Sequence, residues 1–303
     1  MPPLCLVHFV LAGAQIGFGG GAILGKFGLR GTNPVLFALL REGVAGPVLW
    51  AAAGWRTRVA LPPAADVPRL LAAGTALFVN QLFFILGLKV SDPVSGSAWQ
   101  PTQPIFTMAI AVCCGYERAT WRRTFGTVLA VSGAVFMVVC GAGGIAADKA
   151  TAWAGQLLFF FNCMGTSSYV VLTKDLVARH SPLSVTAWSY MVGSSMLLVV
   201  ACCFNSVPAL LGFVCDDPDR EARDACVDNA WRIPITAVGP LCYWIAVSSV
   251  FAYAAMTWAN RYVRSSVVSV YTVLQPATSA LVSYALLVVR GPAWGAKYDL
   301  HKP

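Results

Sequence analysis

Charge is what this sequence has least of: 21 lysines and arginines, 13 aspartates and glutamates and three histidines in 303 residues. Hydrophobic residues make up 57% and the mean hydropathy is +0.68, outside the range of soluble globular domains. His8, His180 and His301 lie far apart, at no metal-ligand or triad spacing. That excludes the common hydrolytic enzyme classes and calls for no cofactor or metal. The net charge of +8 comes without a basic run or interleaved aromatics, so a nucleic-acid partner is excluded too. GFGGG (17–21) and GAGG (141–144) lack the lysine and serine of a phosphate loop and read as close-approach surfaces between helices. The short alternating segments of a transmembrane β-barrel are missing as well.

What is present is a series of long uncharged runs: 4–25, 34–54 (broken only by Arg41 and Glu42), 70–88, 93–115, 124–147, 150–173, 181–203, 233–260 and 265–289. Each can cross a hydrocarbon core of about 30 Å as a helix of about 20 residues. The expectation is an all-α polytopic membrane protein with nine spans. The first run lacks a basic leader and reaches Lys26, so it reads as a retained helix rather than a signal peptide.

With a cytoplasmic N-terminus, the inside loops carry Arg56, Arg58, Arg69, Arg118, Arg122, Arg123, Lys174, Arg179, Arg261 and Arg264. The outer short loops carry Lys26, Arg30, Lys89 and Lys149. Ten against four favours that orientation. The acidic segment 204–232 then faces outward, where Cys215 and Cys226 either pair as a disulfide or stay as thiols. The acidic spacing does not match a calcium-binding loop.

Sliding the sequence against itself reveals two offsets. At 148 residues Lys26 falls on Lys174 and Pro34 on Pro182; at 172, Lys89 falls on Arg261, Ser97 on Ser269, Gln103 on Gln275 and Pro104 on Pro276. Residues 1–147 (helices 1–5) and 150–289 (helices 6–9) therefore read as two copies of one unit, the second carrying the acidic insertion. Five helices per unit make the copies inverted. By this count a tenth helix is missing, because 290–303 is polar and too short to span. The expectation is a shortened gene product or a partner that supplies the last helix.

AQIGFGGGAILGKFGLRGTNP, VLFALLREGVAGPVLWAAAGWR, FVNQLFFILGLKVSDPVSGSAWQPTQPIFTMAIAVCCGYER and SSVVSVYTVLQPATSALVSYALL together resemble the EamA-type drug/metabolite transporters, most closely the plant nodulin-21-like (walls-are-thin-related) group. The resemblance implies ten helices in two inverted five-helix repeats, cytoplasmic termini and a central cavity for a small metabolite, an amino acid or auxin-like solute among them. Glu117 fills the family's glutamate position in the first repeat, whereas Val289 and Arg290 stand at that place in the second. Besides transport by alternating access, an inactive relative or scaffold and a passive facilitator remain open.

Polar side chains inside spans are the candidates for function. Arg41, about 10 Å along its helix from Pro34, could fork onto a substrate carboxylate or be compensated and snorkel outward. Glu42 could carry a coupling proton, but adjacent helical residues diverge by about 100°, so the two cannot face one cavity squarely. Asn80 and Gln81 could bind solute or glue helices together. Gln100 and Gln103 share a face, as do Tyr271 and Gln275. Pro104 and Pro276 release backbone carbonyls, either to line a cavity or merely to kink for packing. Gln100 and Pro101 map to Thr272 and Val273, so they break the internal symmetry and are the candidates for specificity.

Overall fold

The computed structural model describes residues 2–57, 62–118, 120, 121, 124–126, 128, 129, 132, 149–217 and 219–291. Most of the run 124–147 and the tail beyond Gly291 lie outside the described residues. Among the described residues the chain is helical throughout, with no strand. The helices are α1 (Leu4–Leu29), α2 (Pro34–Thr57), α3 (Val67–Val90), α4 (Pro93–Trp99), α5 (Gln103–Cys113), α6 (Lys149–Arg179), α7 (Pro182–Ser206), α8 (Pro208–Val214), α9 (Arg220–Asp228), α10 (Ile235–Tyr243), α11 (Tyr253–Tyr262), α12 (Ser265–Val270) and α13 (Leu274–Arg290). A π-helical stretch, Trp244–Ala252, joins α10 to α11 in one continuous rod.

Proline and capping side chains set the helix starts. Pro93 opens α4 behind Asp92, whose carboxylate accepts from the Ser95 amide at 2.8 Å, and the Asn33 side chain accepts from the Val35 amide at 2.9 Å ahead of α2. Among the described residues six segments are long and apolar enough to cross a membrane: Leu4–Leu29, Pro34–Trp55, Ala64–Val90, Pro182–Ser206, Ile235–Tyr262 and Ser265–Arg290. Residues 150–173 are helical too, but Asn162, Thr166 and Ser167 turn inward and dilute the hydropathy of α6. Residues 93–115 do not form one uniform helix. A 3-10 turn at Gln100–Thr102 divides them, and a second at Tyr271–Val273 divides α12 from α13.

Each break falls where proline chemistry places it. A proline lacks the N–H that would bond the carbonyl four residues back, and its ring crowds that carbonyl. For Pro104 that carbonyl belongs to Gln100, and the Thr272 hydroxyl donates to it at 2.9 Å. One broken helix thus satisfies the backbone group released in the other, as a low-dielectric interior requires.

The polarity of the molecule is reversed relative to a soluble protein. Leu4, Phe9, Leu281, Val288 and Val289 are exposed, whereas Gln15, Arg41, Asn80, Gln103, Asn162 and Gln275 are buried. The long helices pack as α3 on α6, α2 on α7, and α1 on α13 and the α10–π–α11 rod. Small residues allow the closest crossings: at Gly165 of α6 a Cβ would stand 2.6 Å from the Asn80 amide nitrogen of α3.

Several contacts occur twice at the sequence offsets. Lys26 Nζ donates to the carbonyls of Leu88 (3.1 Å) and Ser91 (2.7 Å) at the end of α3. Lys174 Nζ donates to Asn260 (2.5 Å) and Val263 (2.6 Å) at the end of α11, each 172 residues further on. The Ser97–Ser279 hydroxyl pair (2.6 Å) has its counterpart in Thr107–Ser269 (2.8 Å), again at an offset of 172. The two lysines neutralise helix C-termini, where carbonyls lack partners and the dipole is negative.

The acidic segment is a folded cap. Cys215 and Cys226 are joined, with Cα atoms 5.6 Å apart, and tie α8 to α9. Asp217 pairs with Lys89 at 2.9 Å, Asp219 with Arg30 at 2.5 Å, and Asn33 Nδ2 donates to Asn205 Oδ1 at 2.7 Å and to the Ala230 carbonyl at 3.2 Å. The cap therefore sits over the ends of α1 and α3 and the start of α2. Arg30 holds the Asp219 carboxyl below the usual carboxylate range. A depressed carboxyl contributes above its unfolded value near 4, and that contribution is lost as pH falls through the lower folded value. Limited proteolysis of 204–232 is thus expected to proceed at one rate from pH 8 to pH 5 and to accelerate only below about pH 4; acceleration at pH 6 would contradict this.

Candidate functional site

α1, α2, α3, α6, α11, α13, the π-helical stretch and the start of α5 converge on a central cavity of about 40 Å³. The broken helix α4–α5 contributes Gln100 and Gln103, and its counterpart contributes Gln275. Asn80, Gln81 and Phe84 come from α3, Gln15 and Phe18 from α1, and Asn162 and Thr166 from α6. Trp244, Tyr253 and Met256 close the apolar wall. Arg41 of α2 is the one charged residue lining it among the described residues.

The amides form two hydrogen-bonded sets. Gln275 Nε2 donates to Gln15 Oε1 at 2.6 Å; Gln103 donates to Gln100 Oε1, and Gln100 Nε2 to Asn162 Oδ1 at 3.0 Å. Asn162 Nδ2 reaches the Asn80 carbonyl at 3.0 Å, while Asn80 bonds Thr166 and accepts from the Tyr253 hydroxyl at 2.5 Å. Asn80 is therefore held on several sides as a link between helices, and Gln81 donates only a long bond, 3.4 Å, to the Tyr190 hydroxyl.

Among the described residues, two donors of cavity-lining side chains have no hydrogen-bond partner: Nη1 of Arg41 and Nε2 of Gln15. The rest of Arg41 is firmly held. Its Nε donates to Ser249 Oγ at 2.7 Å, and its guanidinium lies 4.1 Å from the Trp244 ring centroid. Trp244 is positioned by its own Nε1–H bond to the Gly21 carbonyl at 2.8 Å, by an edge contact with Phe37 and by a tilted ring contact with Phe84. A preoriented cation with an unmet N–H, lining the same cavity as an unmet amide N–H, can receive a carboxylate or another two-oxygen anion.

Of the residues singled out in the sequence, Arg41, Asn80, Gln81, Gln100, Gln103 and Gln275 meet around this cavity. Tyr271 and Glu42 do not. The pairing of Tyr271 with Gln275 assumes a uniform α-helix, but Tyr271 sits in the 3-10 turn, where each residue advances about 120° rather than about 100°. It points instead to α1, its hydroxyl 2.7 Å from His8 Nδ1 with the rings stacked. Glu42 is fully buried against α7, where Gly193 leaves room for its carboxyl. Gln15, Asn162, Thr166, Trp244 and Tyr253 are wall residues not singled out in the sequence. Gln15 and Asn162 carry the same signal as the chosen amides, a lone amide in an apolar run; the aromatic residues carry none.

The EamA-like transporter family model matches residues 6–139 and again 153–290. The chain belongs to that family. This EamA-like transporter is 24% identical over 281 residues to an uncharacterized transporter of Archaeoglobus fulgidus, covering 92% of this chain and 89% of that protein. It is 29% identical over 174 residues to a probable terminal-alkyne amino-acid exporter of Streptantibioticus cattleyicolor, covering 57% of this chain and 56% of that protein. A WAT1-related protein of Arabidopsis thaliana, At3g53210, is 23% identical over 207 residues, covering 59% and 56%. The chain thus spans little more than half the length of the last two relatives. A solved crystal structure shares the fold at 16% identity with a TM-score of 0.62, over 95% of this chain and 91% of that one. As a member of the EamA-like transporter family the chain is an integral multi-pass membrane protein, and two of the relatives named above are described as a transporter and a probable exporter rather than as enzymes.

Proposed function

We propose that the EamA-like transporter moves a small, carboxylate-bearing organic solute, an amino acid or an auxin-like acid, through the central cavity by alternating access between two inverted halves. The observation that carries this reading is Arg41: a stacked, oriented cation with an unpartnered N–H on the wall of an amide- and aromatic-lined cavity. The inverted-repeat reading, with nine spans and the boundaries 1–147 and 150–289, draws support from the contacts that recur at the offset of 172 residues and from the doubled family match. The cytoplasmic N-terminus draws support from the cap, which engages the sparse outer cations Arg30 and Lys89. Placement among the nodulin-21-like members rests on the ordered residue series and on a plant relative of low identity.

A cavity of about 40 Å³ has room for about three water molecules, whereas small-molecule sites enclose hundreds of Å³. The helices must therefore part to admit a solute, and the paired proline breaks at Pro104 and Pro276 are the hinge points of that movement.

Exchange of radiolabelled L-phenylalanine and of an indole carboxylate in proteoliposomes tests the proposal. Saturable exchange supports transport, its absence for all carboxylates tried favours an inactive relative or scaffold, and flux without saturation favours a passive facilitator. Gln103→Ala and Gln275→Ala each remove one amide hydrogen bond and are expected to weaken half-saturation about fivefold to tenfold. Unchanged half-saturation in both would remove them from the binding wall.

A further inference from the structure

Beside the cavity, and not part of its lining, is a buried carboxyl that the solute site does not use. Glu42 follows Arg41 in α2, is 0% exposed, and neither of its oxygens has a hydrogen-bond partner. Its carboxyl faces α7 at Gly193, where an added Cβ would stand 3.0 Å from Oε2 and 3.5 Å from the Gly74 carbonyl oxygen of α3. The titratable or charged groups around it are Arg41 on its own helix, Tyr190 on α7 and Tyr253 on α11. Ser248 and Ser249 of the π-helical stretch are buried, and Ser249 accepts from Arg41 Nε. The two hydroxyl-bearing rings stay neutral, so among the described residues Arg41 is the one fixed charge in its vicinity.

A carboxylate without a hydrogen bond at this depth is strongly disfavoured against the neutral acid. The neutral acid leaves one buried O–H unmatched, a smaller cost than an unmatched charge. Arg41 acts in the opposite direction, because a nearby cation favours the ionised form. An anion seated on Arg41 cancels that field, so capture of an anion and uptake of a proton favour each other, and by linkage the effect is reciprocal. When the helices part and water reaches the carboxyl, its penalty for ionising falls and the proton can leave with the solute. We propose that Glu42 is a proton site whose loading is linked to capture of a carboxylate by Arg41, so that solute and proton cross together. The cross-membrane part of this rests on the transport reading; the proton site itself does not.

Two measurements separate these. The first is infrared spectroscopy of the full chain in lipid nanodiscs at pH 7, with no solute. Wild type is expected to show the carbonyl stretch of a protonated carboxyl that disappears in Glu42→Gln; identical spectra would mean that Glu42 is ionised and would overturn the proposal. Arg41→Gln provides a second variant should the first fail to fold: its band is expected to persist to a pH at least about one unit higher than in wild type, since the opposing cation is gone. A band lost at the same pH would break the linkage. The second is accumulation of L-phenylalanine in proteoliposomes at zero membrane potential under a one-unit pH gradient. One proton per solute gives about tenfold accumulation. Wild type is expected to reach about that level and Glu42→Gln to remain below about twofold. Equal accumulation in both, or exchange in wild type that ignores the gradient, would overturn coupling while transport stands. Absence of any L-phenylalanine exchange would strike the transport reading, with the infrared difference deciding the proton site by itself.

Discussion

Replacing Arg41 by alanine is expected to weaken half-saturation for a carboxylate solute about 100-fold in proteoliposome exchange. The size follows from what is lost. Among the described residues Arg41 is the one charge on the cavity wall, and a charge-assisted hydrogen bond is worth about 1.5–3 kcal/mol, more when a second bond forms the fork. Arg41→Lys restores the charge but not the plane that stacks on Trp244 while bonding Ser249, so it is expected to recover only part of the loss. Recovery to wild-type affinity would mean that charge alone binds the solute. Half-saturation within threefold of wild type in Arg41→Ala, with normal protein yield, would exclude Arg41 from the site.

The second large effect concerns packing. Gly165→Ala places a methyl group where the Asn80 amide nitrogen is 2.6 Å away and the Ala76 carbonyl oxygen 2.8 Å away, both backbone atoms that cannot swing aside. α3 and α6 would have to separate along their whole shared face. Overpacking of this kind costs about 1–3 kcal/mol, and here it also displaces Asn80, which Thr166, Asn162 and Tyr253 hold. Thermal unfolding of the detergent-purified protein is expected to drop by several degrees. Gly43→Ala is the matched comparison: nothing lies within 4 Å of its added methyl, and alanine is the better helix former by about 1 kcal/mol. Its unfolding temperature is expected to stay level or rise. Equal shifts in the two variants would show that the effect is helix propensity and not the crossing.

How far the site was legible in the sequence depends on the kind of group. Arg41, Asn80, Gln81, Gln100, Gln103 and Gln275 stand out because a charge or amide within an apolar run must find a partner or line water. All six meet at one cavity. That same rule does not say which fate applies. Asn80 is surrounded by protein partners, while Arg41 keeps an unmet N–H, and this difference depends on α6 and α11 lying against α3 and not on any neighbour in sequence. The prolines were legible as helix breaks, but the 3-10 geometry that turns Tyr271 toward His8 was not, because periodicity assumes a constant angle per residue.

What the sequence determined by itself is that the chain is a bundle of membrane helices with two related stretches at offsets of 148 and 172 residues, because apolar length and the recurrence of rare polar and proline residues are local properties. Tertiary structure alone decided how those polar residues are shared out. Arg41 faces the cavity and Glu42 the α2–α7 crossing, because about 100° of helix rotation sends adjacent side chains to different neighbours and Gly193 leaves room for a carboxyl there. Likewise the carbonyl freed by Pro104 finds Thr272 only because the two broken helices meet at their 3-10 turns, a contact between residues 172 apart that no local pattern encodes.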